Sequence, residues 1–327
     1  MTRTRFVSVT RTGNECDIIE PFVRHHCALF DAMLIIDDNS SDGTWTILEK
    51  LRDEGLPVVL FHETEVDWEQ TQFTTRLMHL AFNEHGADWV APIDADEFVE
   101  APEGQALADI LPPSHDLPGM LRWSNFAWHR TIDESERNPV VRMRMRMPPR
   151  TDSFKTIIPR DALKGDPDAR LFSGNHGLWR AGAGSDMFYW PELPLCHYPV
   201  RSIQQFVSKS VITYLRYAAL PDRNQAGEGF QYVRPFDLAK GPIERLLPQI
   251  VAEMERSSPI YAIQKGGKMI GKPEERPLAY RGGPLRYTTF LPSALTNLVA
   301  LAERMARRIS DLEAGRTPQR SEAGEPA

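Results

Sequence analysis

The sequence is short of cysteine, of long apolar runs and of positive charge. Its 327 residues include only Cys16, Cys27 and Cys196; an odd number without metal spacing supports neither a disulfide framework nor a zinc cluster and favours a reducing compartment. No apolar stretch reaches the roughly 18 residues of a membrane span, and none precedes the first strand as in a signal peptide. With a net charge of −7, the composition does not favour nucleic-acid binding. We therefore expect a soluble, cytoplasmic protein.

The remaining composition is that of a globular protein. Hydrophobic residues make up 41% and charged residues 25% of the chain, which excludes a wholly disordered protein. The length allows one large α/β domain or two small ones. The 26 prolines exceed the usual share and predict many loops between regular elements.

Strands and helices alternate over the first 100 residues. Short apolar runs predict buried strands, and apolar residues at helical spacing predict helices between them. This order favours an α/β, Rossmann-like, mostly parallel sheet flanked by helices, with ligands beyond the carboxyl ends of the strands. The predicted strands are 6–10, 33–36, 57–61 and 89–93, and the helices are a segment capped by Asn14 with Asp17, followed by 44–54 and 70–85.

The pattern is looser beyond residue 100. Strands are predicted at 120–126, 154–158 and 193–197, a helix at 202–220, and a surface excursion at 131–149. Apolar residues between 291 and 312 then follow an a/d heptad pattern, which predicts a C-terminal helical extension. Residues 315–327 are polar and rich in Gly, Pro, Glu and Arg, and we expect a disordered tail.

Asp94-x-Asp96 directly follows the fourth predicted strand. Two carboxylates one residue apart on a turn can converge on one hard divalent cation, whose remaining ligands come from a diphosphate and water. This predicts a Mg²⁺ or Mn²⁺ site that holds a nucleotide diphosphate. The alternative is a solvated acidic loop, since Asp-x-Asp alone is common.

A second acidic turn, residues 37–44, follows the second predicted strand. An aspartate at a strand end can accept hydrogen bonds from a base N–H or from ribose hydroxyls, and Asp38 is the predicted nucleotide contact. The turn and the cap of the next helix are the alternative role for Asp42 and Thr44. Because the two acidic turns follow parallel strands, we expect them to meet in one crevice.

Together these segments resemble the GT-A glycosyltransferases of family 2 and its relatives, in a subgroup with Asp-x-Asp-Glu-Phe and a Glu-x-x-x-x-x-His helix. The resemblance is strong over 6–100 and moderate over 155–210. It implies a glycosyltransferase domain over 1–240, divided into a nucleotide-binding half (1–100) and an acceptor half (101–240), then the extension (241–314) and the tail (315–327). The segments that carry it are Val7-Ser-Val-Thr10, Asn14-Glu15, Glu20-Pro-Phe-Val-Arg-His-His26, Ile35-Ile-Asp-Asp-Asn-Ser-Ser-Asp-Gly-Thr44 and Pro92-Ile-Asp-Ala-Asp-Glu-Phe98.

The resemblance also implies roles for single residues. Asp94 would contact ribose and metal, and Asp96 would be the main metal ligand and a catalytic residue. A downstream histidine often completes such a site, and His176 and His197 are the two candidates, with a buried structural role as the alternative for each. Arg201 and Lys209 could neutralise phosphate or be solvated. The predicted nucleotide-sugar contacts are Thr10, Asn14, Glu15, Asp38, Arg76 and Asp94.

The implied reaction is metal-dependent transfer of a sugar, with inversion, from a nucleotide-diphosphate donor such as a UDP-sugar to a glycan, lipid-linked or protein acceptor. The general base is left open among Asp186, Glu192 and Asp152. No Gln-x-x-Arg-Trp motif is present, which argues against a processive polysaccharide synthase.

Two other functions remain as alternatives. A sugar-phosphate nucleotidyltransferase has a similar sheet, but residues 10–14 contain one glycine where those enzymes usually carry a Gly-rich loop. A catalytically inactive GT-A-like binding protein is the other. For residues 291–312, packing onto their own domain is one interpretation; the others are a contact between copies of the chain and a helix at the inner face of a membrane.

Overall fold

The computed structural model describes residues 3–63, 70–133, 135–149, 153–218, 248–252, 254–255, 272–288, 301–303 and 305. Its helices are α1 (Ile19–His26), α2 (Thr44–Asp53), α3 (Gln70–Asn83), α4 (Pro139–Arg142) and α5 (Ile203–Ala218). Its strands are β1 (Phe6–Thr12), β2 (Ala32–Asp38), β3 (Val58–Glu63), β4 (Trp89–Pro92), β5 (Glu97–Val99), β6 (Gly119–Asn125), β7 (Met145–Arg146), β8 (Phe154–Pro159), β9 (Arg170–Leu171), β10 (Leu178–Arg180), β11 (Ala183–Gly184), β12 (Phe188–Tyr189), β13 (Leu195–His197) and β14 (Glu274–Glu275).

One large sheet organises the described part of the chain. Its first half runs β3-β2-β1-β4, with every neighbouring pair parallel. Parallel strands need crossovers, and the helices between them provide these connections. The α/β class and the mostly parallel sheet flanked by helices are therefore confirmed. The carboxyl ends of β1, β2 and β4 lie at one edge of the sheet.

The second half of the sheet is mixed. β8 is antiparallel to β4 and to β6, and β13 lies between β6, to which it is parallel, and β5, to which it is antiparallel. The chain therefore leaves β4 at Pro92, forms the turn at 93–96 and joins the same sheet again at its far end. That turn links the two halves.

Hydrophobic cores cover both faces of the sheet. Phe6 and Ile35 belong to the core that α1 and α2 contact, whereas Val9 and Leu34 belong to the core under α3. Successive side chains of a strand point to opposite faces. This alternation determines the face on which each polar residue at the strand ends lies.

The predicted capping box at Asn14 is wrong. Asn14 has a φ of 57°, and its Oδ1 accepts hydrogen bonds from the backbone N–H and the hydroxyl of Ser41. The helix begins at Ile19 instead. Asn14 therefore joins the loop after β1 to the acidic turn after β2.

Residues 272–288 pack against α1. The Glu20 carboxylate accepts hydrogen bonds from the backbone N–H groups of Arg286, Tyr287 and Thr288 at 2.6–2.7 Å. Nδ1 of His25 accepts a hydrogen bond from the Arg281 N–H at 3.2 Å. Through Glu20 and His25, α1 thus holds a distant segment of the chain in place.

The remaining C-terminal predictions fall mostly outside the described residues. Of the heptad segment at 291–312, only 301–303 and 305 are described, and they are helical; the tail at 315–327 lies outside altogether. Among the described residues, no helix is long and apolar enough to cross a membrane.

Candidate functional site

The turn after β4 is fixed from within and from the neighbouring strand. The Asp94 N–H donates to Oε2 of Glu97 at 2.9 Å, and the Tyr198 N–H donates to the Asp96 carbonyl at 2.8 Å. Glu97 is fully buried, and burial raises the pKa of its carboxyl well above the ordinary value, with Lys155 acting in the opposite direction. The two aspartates are therefore presented on a rigid frame.

Three nitrogen groups surround Oδ2 of Asp96. Nζ of Lys209 lies 2.7 Å away, Nη1 of Arg201 3.7 Å and Nε2 of His197 3.8 Å. Burial raises the pKa of the Asp96 carboxyl, but the positive charges of Lys209 and Arg201 outweigh it, and the net pKa lies well below the ordinary range. Asp96 is therefore an anionic group at neutral pH.

Arg201 is the centre of a buried charge cluster. Its guanidinium, which is 0% exposed, donates to both carboxylate oxygens of Asp17 at 2.8 and 2.9 Å. It also donates to Glu15 and to the carbonyl oxygen of Tyr198 at 3.1 Å. Because its N–H groups are committed to these partners, Arg201 supports the site by holding their carboxylate and carbonyl groups in position.

His197 offers a nitrogen toward Asp96. Nδ1 lies 2.7 Å from Oδ1 of Asn125; an amide oxygen only accepts, so Nδ1 carries the proton and Nε2 is the acceptor of the neutral ring. Burial lowers the pKa of His197 to about 4, so the ring is neutral at pH 7. Trp123 stacks on it with ring centroids 4.8 Å apart and fixes its orientation.

Asp94 is paired with a buried lysine. Nζ of Lys155, whose side chain is 1% exposed, lies 2.6 Å from Oδ2 of Asp94 and 3.5 Å from Oε1 of Glu97. Burial lowers the pKa of Lys155, but Asp94 and Glu97 outweigh it and the net direction is upward. The Asp94 side chain is 30% exposed, so one of its faces remains accessible.

Asp38 lies at the same edge of the sheet, at the end of β2. β1 separates β2 from β4, so the two acidic turns follow strands about 10 Å apart. Oδ2 of Asp38 accepts a hydrogen bond from Nη2 of Arg11 at 2.5 Å, and the Arg11 guanidinium lies 6.0 Å from the centre of the Phe73 ring. The structure thus brings the two turns to one edge.

Thr10 and Asp38 lie on opposite faces of the sheet. Thr10 alternates with Val9 and so shares the face of Phe6, whereas Asp38 shares the face of Leu34. The Thr10 side chain is fully buried, and its hydroxyl has no hydrogen-bond partner among the described residues. For both side chains to contact one nucleotide, as the resemblance implies, one of them would need to turn.

The structure does not bring every candidate residue from the sequence together at the acidic turns. Arg76 is exposed on α3, and Asp186 and Glu192 are exposed near β12. Nδ1 of His176 lies 2.6 Å from the carbonyl oxygen of Phe154, whereas Nε2 of His197 lies 3.8 Å from Asp96; the second distance favours His197 as the histidine beside Asp96. Asp152 lies outside the described residues.

Sequence reasoning missed two cationic partners. Arg11 and Lys155 each lie on a strand next to the aspartate that they bind. A lone basic residue in an apolar strand is the signal that could have revealed Lys155, because a buried lysine needs a carboxylate partner. For Arg201 and Lys209 the sequence leaves open a role at phosphate or a solvated position, and the structure places both at carboxylates.

The side chains at the turn after β4 include atoms that can coordinate a divalent metal ion. Among the described residues, no three His, Cys, Asp or Glu side chains converge as a ready-made metal site. Oδ2 of Asp96 and Nε2 of His197, 3.8 Å apart, nevertheless supply an oxygen and a neutral imidazole nitrogen, both suited to Mn²⁺. This pair fits a metal ion that takes its other ligands from a diphosphate and water.

Residues 9–111 match the family model "Glycosyl transferase family 2". The match covers just under a third of the chain and includes both acidic turns. No curated protein sequence matches the chain. The resemblance to family 2 glycosyltransferases drawn from the sequence is confirmed over these residues.

Several solved structures resemble the chain distantly. S. aureus TarS 1–349 in complex with UDP is 14% identical, with 85% of this chain and 99% of that chain covered and a TM-score of 0.39. The mannosyltransferase PcManGT from Pyrobaculum calidifontis, in complex with GDP-Man and Mn²⁺, is 15% identical, with 78% and 74% covered and a TM-score of 0.36. These TM-scores correspond to a loose superposition.

Proposed function

We propose that this chain, which carries a family 2 glycosyltransferase segment over residues 9–111, is a metal-dependent, inverting enzyme that uses a nucleotide-diphosphate sugar. The observation that supports this most is the placement of Asp96 beside His197, with Nε2 and Oδ2 3.8 Å apart, on the turn after β4. That turn shares its sheet edge with Asp38, where ligands of such sheets bind.

Each of the site residues would bind a different part of the nucleotide-sugar donor. Asp96 and His197 would hold Mn²⁺ or Mg²⁺, which when bound would stabilise the charge that develops on the leaving diphosphate. Lys155 orients Asp94, whose accessible oxygen could contact the ribose. Asp38, oriented by Arg11, would accept hydrogen bonds from the base or ribose.

The other nucleotide-sugar assignments follow the family resemblance. Glu15 is held by Arg201 and lies near Lys209, so it belongs to the same charge cluster as Asp96. Asn14 shapes the loop, and Arg76, which is exposed on α3, would contact the base or the phosphates as the resemblance implies. Thr10 would contribute through its backbone.

The acceptor side is proposed more broadly. Inversion requires a carboxylate that removes the proton of the acceptor hydroxyl, and the exposed Asp186 and Glu192 can be reached by a glycan or a lipid-linked acceptor. A UDP-sugar is the proposed donor, in line with the UDP bound by TarS; the GDP-Man bound by PcManGT makes GDP-sugars the second donor to test.

A nucleotidyltransferase is disfavoured by the family match. It would consume a nucleoside triphosphate and a sugar phosphate and release pyrophosphate. An inactive binding protein is disfavoured because Lys209 and Arg201 maintain the anionic state of Asp96.

The test is nucleotide binding and donor turnover by the purified chain. Titration calorimetry with UDP and GDP, with and without Mn²⁺, would be combined with measured UDP or GDP release from the sugar donors. Asp96→Asn should lower turnover by about 100-fold or more, whereas the exposed Asp168→Asn should match the unaltered protein. Equal turnover in Asp96→Asn, or pyrophosphate release from a triphosphate and a sugar phosphate, would overturn the proposal.

A further inference from the structure

Lys209 binds the oxygen of Asp96 that also faces His197. Its Nζ lies 2.7 Å from Oδ2 of Asp96 and 3.5 Å from Oε1 of Glu15. His197 faces the same Oδ2 with Nε2. The ammonium group of Lys209 therefore already occupies a position beside Oδ2 of Asp96 at which a metal ion could bind.

Lys209 differs from the other cations of the site in its exposure. The side chain of Lys209 is 30% exposed, whereas those of Arg201 and Lys155 are 0% and 1% exposed. It comes from α5 on a long flexible stem, and an ammonium is a compact point charge without a fixed bonding plane. Lys209 therefore has a side open to solvent toward which its ammonium group can move, whereas Arg201 and Lys155 are enclosed.

A lysine and a divalent metal ion disfavour each other at one carboxylate oxygen. Both are positive, and their repulsion is strong in a partly buried site of low effective dielectric constant. The carboxylates of Glu15 and Asp96 would in turn repel each other without a cation between them. Lys209 thus stabilises the site without a ligand and opposes entry of a metal ion alone.

We propose that Lys209 is a tethered counter-ion of Asp96 that gives way when a metal ion arrives with a nucleotide diphosphate. This inference rests on the proposed function and extends it to the order of binding. The diphosphate supplies negative charge that receives the displaced ammonium, so the metal ion and the nucleotide bind with positive cooperativity. Lys209 is a positioning residue in this scheme.

The test is a Mn²⁺ titration in which electron paramagnetic resonance measures the free ion. This readout does not depend on donor turnover. In the absence of nucleotide, Lys209→Met should bind Mn²⁺ more tightly than the unaltered protein, by between about 5-fold and 150-fold. With UDP present, the gain in Mn²⁺ affinity should be larger in the unaltered protein than in the variant. Lys209→Arg, which keeps the charge, should stay close to the unaltered protein.

Two further variants keep the result interpretable. Lys272→Met removes an exposed lysine elsewhere and should leave Mn²⁺ affinity unchanged. If Lys209→Met loses its cooperative thermal unfolding, Lys209→Gln repeats the charge removal with a polar side chain.

Failure of this inference is distinguishable from failure of the proposed function. Equal Mn²⁺ affinities in the unaltered protein and in Lys209→Met or Lys209→Gln would overturn the counter-ion role, even if UDP binds and donors are turned over. UDP binding with no Mn²⁺ binding in any variant would overturn it as well. Absence of UDP binding and of turnover, together with tighter Mn²⁺ binding by Lys209→Met, would refute the glycosyltransferase proposal and support the competition at Asp96.

Discussion

Arg201 donates two hydrogen bonds to the carboxylate of Asp17, a residue 184 positions earlier in the sequence. The same guanidinium binds Glu15 and faces Asp96. It therefore ties the loop after β1 to the turn after β4 and to the segment after β13. Neighbouring carboxylates can persist there because a buried cation balances them.

Replacing Arg201 with Met should destabilise the protein strongly. The variant leaves Asp17 buried without its cation and Glu15 with only the more distant Lys209, and breaking a buried ion pair in this way costs about 3–5 kcal/mol. Chemical denaturation monitored by circular dichroism measures the free energy of unfolding. The exposed Arg137→Met is the matched control. A loss below about 1 kcal/mol in Arg201→Met would show that water replaces the guanidinium.

Asp38 and Thr10 should respond differently to substitution. Asp38→Asn should weaken UDP binding by about 10-fold or more, because a charge-assisted acceptor is lost. Thr10→Val should leave UDP affinity unchanged and stability equal or slightly higher, since the Thr10 hydroxyl is buried without a partner among the described residues. Calorimetry with UDP compares the two. Weaker binding by Thr10→Val would mean that the hydroxyl reaches the ligand.

Glu20→Gln should loosen the segment at 272–288. A neutral amide cannot accept all the hydrogen bonds that the carboxylate accepts from Arg286, Tyr287 and Thr288, and hydrogen bonds to a charged group contribute about 1.5–3 kcal/mol. Hydrogen exchange at these backbone amides should therefore accelerate. The exposed Glu84→Gln serves as the reference substitution. Unchanged exchange rates would show that other contacts hold the segment.

Asp37 should make stability decrease as the pH rises from about 4 to 7. Burial raises the pKa of its carboxyl from 3.8 to about 6, although hydrogen bonds from Ser40 oppose this. The folded protein therefore holds this proton more tightly than the unfolded chain, and the resulting stability, about 3 kcal/mol, is lost as the pH passes 6.

The Asp37→Asn variant tests this dependence. Relative to the unaltered protein, it should gain about 3 kcal/mol of unfolding free energy between pH 4 and pH 7. Denaturant titrations at several pH values measure the difference, and Asp168→Asn should show no such trend. Because His62 lies 3.8 Å from Asp37, the same series in a His62→Asn background removes the influence of that side chain on Asp37. Parallel curves for Asp37→Asn and the unaltered protein would contradict the raised pKa.

The fold of the first hundred residues could be predicted because it depends on local patterns. Strands β1 to β4 and helices α2 and α3 follow apolar periodicity and end at turn residues, which sequence alone displays. The start of α1 was wrong because Asn14 bonds to Ser41 in a neighbouring loop, a contact that no local pattern shows. The order of β8, β6, β13 and β5 depends equally on long-range pairing.

The carboxylate side chains of the site could be predicted from the sequence, and its basic side chains could be predicted less well. Asp38 and Asp96 follow strands, so their shared edge comes from topology. Lys155 and Arg201 bind their carboxylates across large sequence separations, and surface exposure is the more common state of such residues. The resemblance implies that Thr10 and Asp38 both contact the nucleotide, whereas the alternation of side chains along two neighbouring strands places them on opposite faces of the sheet.

The hydrogen bonds of β5 bear on any attempt to shorten this protein. Its partner strand, β13, comes almost a hundred residues later, and β4 pairs with β8. A fragment that ends at residue 111 would retain the whole matched segment, yet two of its strands would present bare backbone edges to solvent and to other molecules, which invites aggregation. The recognisable part of the sequence is therefore smaller than the unit that can be expressed as a folded protein.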